Sequence, residues 1–142
     1  MIRIVKDSEN IIVVTLYENS TVSNPIYLFE LVNQQSNVKF YFISTDTSTN
    51  ITRYNRFELI ETENADTLNG EVELGGEGYY NYTVYQTDLL TLDGLTEASE
   101  AVPNIVKTVE VGLCFVEFNP IVNITYSPES NTNIVYQYDG LQ

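Results

Sequence analysis

Along this chain apolar residues tend to fall at every second position in short runs, and clusters of small polar residues separate the runs. A period of two puts successive side chains on opposite faces of a strand, whereas a helix repeats near 3.6. Ile11 to Tyr17 is the first clear run, with Ile11, Val13, Thr15 and Tyr17 on one face and Ile12, Val14 and Leu16 on the other. Both faces are mostly apolar, so this segment is expected to be a central strand. Tyr27 to Val32 and Val38 to Ser44 flank the polar link Asn33-Gln34-Gln35-Ser36-Asn37, which predicts a hairpin. In its second arm Val38, Phe40 and Phe42 are expected on a buried face, and Lys39, Tyr41 and Ile43 on a mixed one.

Thr45 to Asn50 reads as a loop, because short hydroxyl and amide side chains compete for backbone hydrogen bonds. A short strand is predicted at Phe57 to Ile60, followed by an acidic, turn-prone segment, a tight turn at Asn69-Gly70, and a brief strand at Val72 and Leu74. Tyr79 to Thr87 alternates again, with Tyr80, Tyr82 and Val84 on one face and Tyr79, Asn81, Thr83 and Tyr85 on the other. One of these tyrosine rows is expected to face the core. An irregular stretch then runs to Asn104, with a turn at Asp93-Gly94, a stop at Pro103 and room for a helical turn within Leu95 to Ala101. Ile105 to Phe118 is a long strand in which Gly112 marks an expected bulge or bend, and Pro120 closes it. Ile121 to Tyr126 and Ile134 to Tyr138 form a last pair. About eight strands, spaced by about ten residues, predict one all-β domain over 1–142, built as a two-sheet antiparallel sandwich or a small barrel.

Composition agrees with that reading. The 43% apolar fraction rests on Val, Ile, Leu and aromatics, including 11 Tyr and 6 Phe, which suit a pleated surface better than a helix. Six Lys plus Arg against 20 Asp plus Glu give a net charge of −14. Such a chain repels phosphate, so direct nucleic-acid binding is excluded as an expectation, and anionic membranes are disfavoured in the same way. The N-terminus lacks the apolar stretch of a signal peptide, and no run is long enough to span a bilayer. The Asn-x-Ser/Thr triplets at Asn19, Asn50, Asn81 and Asn123 are then features of an Asn- and Thr-rich sequence rather than glycosylation sites. Cys114 has no second cysteine to bridge and no histidine to activate it, so it is read as core filler.

The absence of histidine also removes the commonest general base and the usual zinc ligand. Gly75-Gly76-Glu77-Gly78 lacks the lysine of a phosphate loop and reads as a turn. Glu58, Glu61, Glu63 and Asp66 could in principle supply a glycosidase pair, but a small domain without tryptophan offers little cleft, and a solvated acidic loop accounts for them equally. Asp46 with Asn50, or Glu61, Glu63 and Asp66, are the candidate calcium ligands, without EF-hand spacing and with surface acidity as the simpler reading. The expectation is therefore no enzyme, no cofactor and no metal. A carbohydrate-binding or host-adhesion module is the alternative, since Tyr79, Tyr85, Tyr126, Tyr136 and Tyr138 could stack on sugars. Gly78, Tyr80 and Tyr82 resemble a tyrosine corner without its disulfide: the Tyr80 hydroxyl would bond backbone a few residues upstream, and Tyr82 stands where an antibody-type domain has its second cysteine.

Three stretches, Arg53-Tyr54-Asn55-Arg56-Phe57-Glu58-Leu59-Ile60-Glu61, Leu68-Asn69-Gly70-Glu71-Val72-Glu73-Leu74 and Gly78-Tyr79-Tyr80-Asn81-Tyr82-Thr83-Val84-Tyr85, are similar to a group of small virion proteins. The group belongs to tailed bacteriophages of Bacteroidetes hosts, the crAss-like phages among them. Tyr27 to Asn33 and Glu110 to Leu113 also fit its pattern, so that about half of the chain is covered in order. The resemblance implies an immunoglobulin-like sandwich and a non-catalytic auxiliary, or decoration, protein. It would be made in the host cytoplasm and bound to the capsid exterior through the major capsid protein or other virion proteins. Self-association is left open. Arg53, Tyr54 and Arg56 are the candidate interface residues, and Ile121 to Gln142 extends beyond the group's usual end.

Overall fold

The computed structural model describes residues 1–21, 25–50 and 52–118. Among them are eight strands: β1 (Ile2–Val5), β2 (Glu9–Val14), β3 (Tyr27–Asn33), β4 (Lys39–Ile43), β5 (Asn55–Glu61), β6 (Glu71–Val72), β7 (Gly78–Thr87) and β8 (Ile105–Glu117). Two short 3-10 turns, Tyr17–Asn19 and Ala98–Asn104, complete the elements. The strands form a five-stranded sheet in the order β1-β8-β7-β3-β4 and a three-stranded sheet in the order β2-β5-β6. The strand readings at Ile121 to Tyr126 and Ile134 to Tyr138, the stop at Pro120 and the triplet at Asn123 lie outside the described residues.

The two sheets share one apolar core because their alternating residues point toward each other. Tyr27, Phe29 and Leu31 of β3, Tyr80, Tyr82 and Val84 of β7, and Ile12, Val14, Phe57 and Leu59 of the smaller sheet all belong to it. Phe29 joins the layers: it stacks on Phe42 at 4.7 Å and meets Phe57 of the opposite sheet edge-on at 4.9 Å. Each such ring contributes about 1.5–3 kcal/mol by burial, and an edge-to-face pair adds about 0.5–1.5 kcal/mol. A second cluster lies on the outer face of the larger sheet. There Ala98 and Ala101 of the second 3-10 turn cover Leu28 and Ile43, and Tyr85, Leu92 and Ile105 pack around them.

Several expectations need correction. The sheets are mixed rather than wholly antiparallel, since β1 runs parallel to β8 and β5 parallel to β6. Parallel neighbours cannot be joined by a hairpin, and both pairings join segments separated by turns or whole strands. β1 itself carried no strand prediction, although Ile2 and Ile4 are buried at 8% and 0%. Among the described strands the run from Ile11 is not central: β2 ends at Val14 and lies at the edge of its sheet. Ile12 and Val14 enter the core, while Ile11 and Val13 face outward and are exposed. Val38 is exposed beyond the start of β4, and burial begins with Phe40 and Phe42. Gly112 marks no bulge. The two register shifts skip Val109 and Val106, and Gly112 stays in register opposite Tyr82. The helical turn is a 3-10 turn displaced to Ala98–Asn104.

Candidate protein-binding surface

The corner residues sit where β7 begins. Gly78 has a φ of +124°, which a glycine adopts without steric penalty. Two residues on, the fully buried Tyr80 turns its hydroxyl back to donate to Gly76 O at 2.8 Å, closing the turn that enters the strand. Tyr82 is buried on the same face, and its hydroxyl donates to the Glu110 carboxylate. Burial first, then that carboxylate, raises the Tyr82 phenol far above its ordinary range. Cys114 is fully buried, and desolvation pushes its thiol up to about 12, which leaves it a neutral packing group at ordinary pH.

The carboxylates singled out in the sequence do not gather into one centre. Burial alone would raise Asp46, but hydrogen bonds from the Ser48 N–H, the Asn55 amide and the Arg56 N–H outweigh it and hold the carboxyl below its usual range. Glu61 is buried, with its two oxygens accepting the Asp7 and Leu74 N–H groups at 2.9 Å each. Asp66 organises the turn before Gly70 by accepting the Leu68 N–H and the Asn69 amide. Glu58 pairs with Arg56 at 3.1 Å. Among the described residues, no group of three or more His, Cys, Asp or Glu is placed to hold a metal ion. An open groove of about 550 Å³ lies between Tyr41 of β4, Ala65 and Glu97. Among the described residues no helix is long and apolar enough to cross a membrane.

Arg53 and Tyr54 lie in the turn before β5, where both N–H groups donate to Asn50 O and the Tyr54 hydroxyl meets Thr49 at 2.9 Å. Arg56 follows in β5, opposite Val13. It also donates to Thr47 Oγ1 at 2.7 Å. Tyr54 and Arg56 thus both bond the 47–49 stretch, through Thr49 and Thr47.

A different surface emerges from the pairing of β7 and β8. Tyr79 lies opposite Phe115, Asn81 opposite Leu113 and Thr83 opposite Val111, all on the outer face of the larger sheet. Val111 is 66% exposed, Tyr79 50% and Leu113 38%, and the Tyr79 and Phe115 rings sit 4.9 Å apart. The 88–104 segment covers the other half of this outer face, so the apolar row begins where that cover ends. The Arg3–Glu117 ion pair, 2.9 Å, flanks the row, and Arg3 lies opposite Phe115. Among the described residues nothing covers this row, and exposed apolar patches are where proteins make contacts when they are extensive. Sequence reasoning missed it because β8 is apolar on both faces: Val111, Leu113 and Phe115 alternate with Gly112, Cys114 and Val116. No family model, curated protein or solved structure matches this chain.

Proposed function

We propose that this chain is a non-catalytic structural protein of a bacteriophage particle, an auxiliary protein held on the outside of the capsid by contacts with the major capsid protein or neighbouring virion proteins. The observation that carries this reading is the apolar row Tyr79, Val111, Leu113 and Phe115, uncovered among the described residues, which offers rigid, strand-borne contact area. The net charge of −14 supports an exterior position, away from packaged DNA. The sandwich is immunoglobulin-like in this reading. The order β1-β8-β7-β3-β4 against β2-β5 and the Tyr80 bond to Gly76 favour it, while the parallel β6 departs from that pattern.

Mass spectrometry of purified virions, together with co-sedimentation of the full chain with empty capsids, tests the proposal. The protein is expected in intact particles, and Leu113→Asp is expected to weaken capsid binding at least about tenfold. Absence from particles, or failure to bind capsids, refutes it. A second reading, a carbohydrate-binding or host-adhesion module, draws on the exposed Tyr79–Phe115 ring pair beside Asn81. Glycan-array binding that is lost with Tyr79→Ala would replace the first reading with this one.

A further inference from the structure

β2 is bonded to β5 on one side, and among the described residues no strand pairs with its other side. Which backbone groups face that open side follows from the bonds that β5 makes away from β2. The Thr47 N–H donates to Arg56 O at 2.7 Å, the Ser44 hydroxyl to Glu58 O at 2.8 Å, and the Ile60 N–H to Gly70 O at 2.8 Å. The main-chain groups of Arg56, Glu58 and Ile60 therefore point away from β2. In an antiparallel ladder the residues opposite them point away from β5, and these are Val13, Ile11 and Glu9. The Glu61 N–H bond to Ser8 O, 3.2 Å, sets the same parity.

β2 thus presents N–H and C=O groups to its open side at three alternate residues, and the side chains of Ile11 and Val13 there are 47% and 59% exposed. Proteins usually blunt such an edge with lysine, proline, a bulge or a covering loop. The strand Glu-Asn-Ile-Ile-Val-Val has no lysine, proline or bulge, and only Glu9 at its start carries charge.

We infer that two copies of this chain pair antiparallel along β2, about a two-fold axis at Ile11, joining their three-stranded sheets into one. Ile11 then meets Ile11 of the partner subunit, and Val13 meets the partner's Glu9. Val13 lies opposite Arg56 within its own sheet, and the partner's Glu9 would stand about 10 Å from Arg56 between backbones, so the guanidinium, bonded here to Thr47 and Glu58, reaches that carboxylate by turning across Val13. The two-fold axis makes this contact twice. Glu58 lies opposite Ile11, which sets the two Glu58 backbones about 14 Å apart, beyond the Debye length of about 8 Å at physiological ionic strength. A register centred on Glu9 would instead bring two carboxylates face to face, so the charges favour the pairing at Ile11 over that one. The contact is small, and each copy carries a net charge of −14. The dimer is therefore weak and strengthened by salt, the reverse of an association driven by opposite charges. This inference is independent of any position on a particle.

Sedimentation velocity of the full chain over a concentration series, at low and at physiological salt, reads the monomer–dimer step, which is expected to tighten with salt. Val13→Pro deletes an outward N–H that makes no bond within the sheet, and is expected to weaken the dimer at least about tenfold. Ile11→Lys and Ile11→Glu are each expected to abolish dimerisation when alone, and an equimolar mixture of the two to restore it. A full chain that stays monomeric throughout, a dimer indifferent to Val13→Pro, or a Lys/Glu mixture no tighter than either variant overturns the inference. Should Val13→Pro fail to fold, the Ile11 mixture decides.

Discussion

Gly112→Ala tests whether the packing between β7 and β8 is as close as it looks. A methyl group on Gly112 would stand 2.6 Å from Tyr82 Cε1 and 2.7 Å from both Cζ and the hydroxyl oxygen. Comfortable contact between heavy atoms begins near about 3.5 Å, so the ring must shift by roughly 1 Å. Tyr82 is poorly placed to shift: it is 8% exposed, and its hydroxyl is bonded to Glu110. Loss of a hydrogen bond to a charged group costs about 1.5–3 kcal/mol, less where solvent can replace it. Against this, alanine in place of glycine stabilises an extended backbone by about 0.4–1 kcal/mol through the unfolded state. The balance is a net loss of about 1–2 kcal/mol, or a Tm lower by about 3–7 °C at this chain length. Thermal and urea unfolding followed by circular dichroism measure it. In a Tyr82→Val background the collision is gone and only the unfolded-state term remains, so the same Gly112→Ala change is expected to stabilise by about 0.4–1 kcal/mol. A stabilising effect in the parent chain, or an equal loss in both backgrounds, would refute the reasoning.

Two further outcomes are expected. Tyr80→Phe removes the 2.8 Å bond to Gly76 O and should cost about 0.5–1.5 kcal/mol, whereas Tyr79→Phe at an exposed position should leave Tm unchanged; equal effects would deny the corner a structural role. The response to pH follows from the buried phenols. Burial above all raises Tyr27, Tyr41, Tyr82 and Tyr85, with Glu30 adding to Tyr41 and Tyr85 and Glu110 to Tyr82, and Tyr41 is pushed up to about 12. The folded chain keeps protons that the unfolded chain releases, so this stability is complete below about pH 10 and is lost as pH rises through about 12. Cys114, raised from 9.0 to about 12, starts the decline near pH 9. Asp46 acts in the opposite direction, contributing above its ordinary 3.8 and losing that contribution as pH falls below it. A urea midpoint that stays flat from pH 8 to pH 11.5 would contradict the alkaline half.

The hairpin of β3 and β4, the loop after it and the inward row of β7 were legible because a single periodicity governs each. Tyr80, Tyr82 and Val84 all point inward, at 0%, 8% and 0% exposure. Where both faces of a strand are apolar, alternation loses its information. β2 reads as central on that ground, yet among the described strands it is an edge, and β8 hides an exposed row behind the same ambiguity. Parallel pairing has no local signature at all: Ile2 meets Cys114 only after every other described strand is in place between them in sequence. Gly112 announced an irregularity, but what it accommodates is a ring from the neighbouring strand, a contact set by register rather than by nearby residues. The site residues fared similarly. Arg56 was legible as a candidate contact beside Arg53 and Tyr54, while its cross-strand neighbour Val13 comes from β2, far back in the sequence.

The seam between β1 and β8 also bears on how the chain is made. Translation proceeds at about 5–20 residues per second, so β1 emerges first and waits roughly 5 to 20 seconds before its hydrogen-bonding neighbour exists. During that interval Ile2 and Ile4, both destined for the core, have no sheet to join. A nascent chain stopped before β8 would therefore lack both its longest strand and the template for its first one. Long-range closure of this kind slows folding relative to local hairpins, and it makes completion of the larger sheet a late event rather than one accumulated strand by strand.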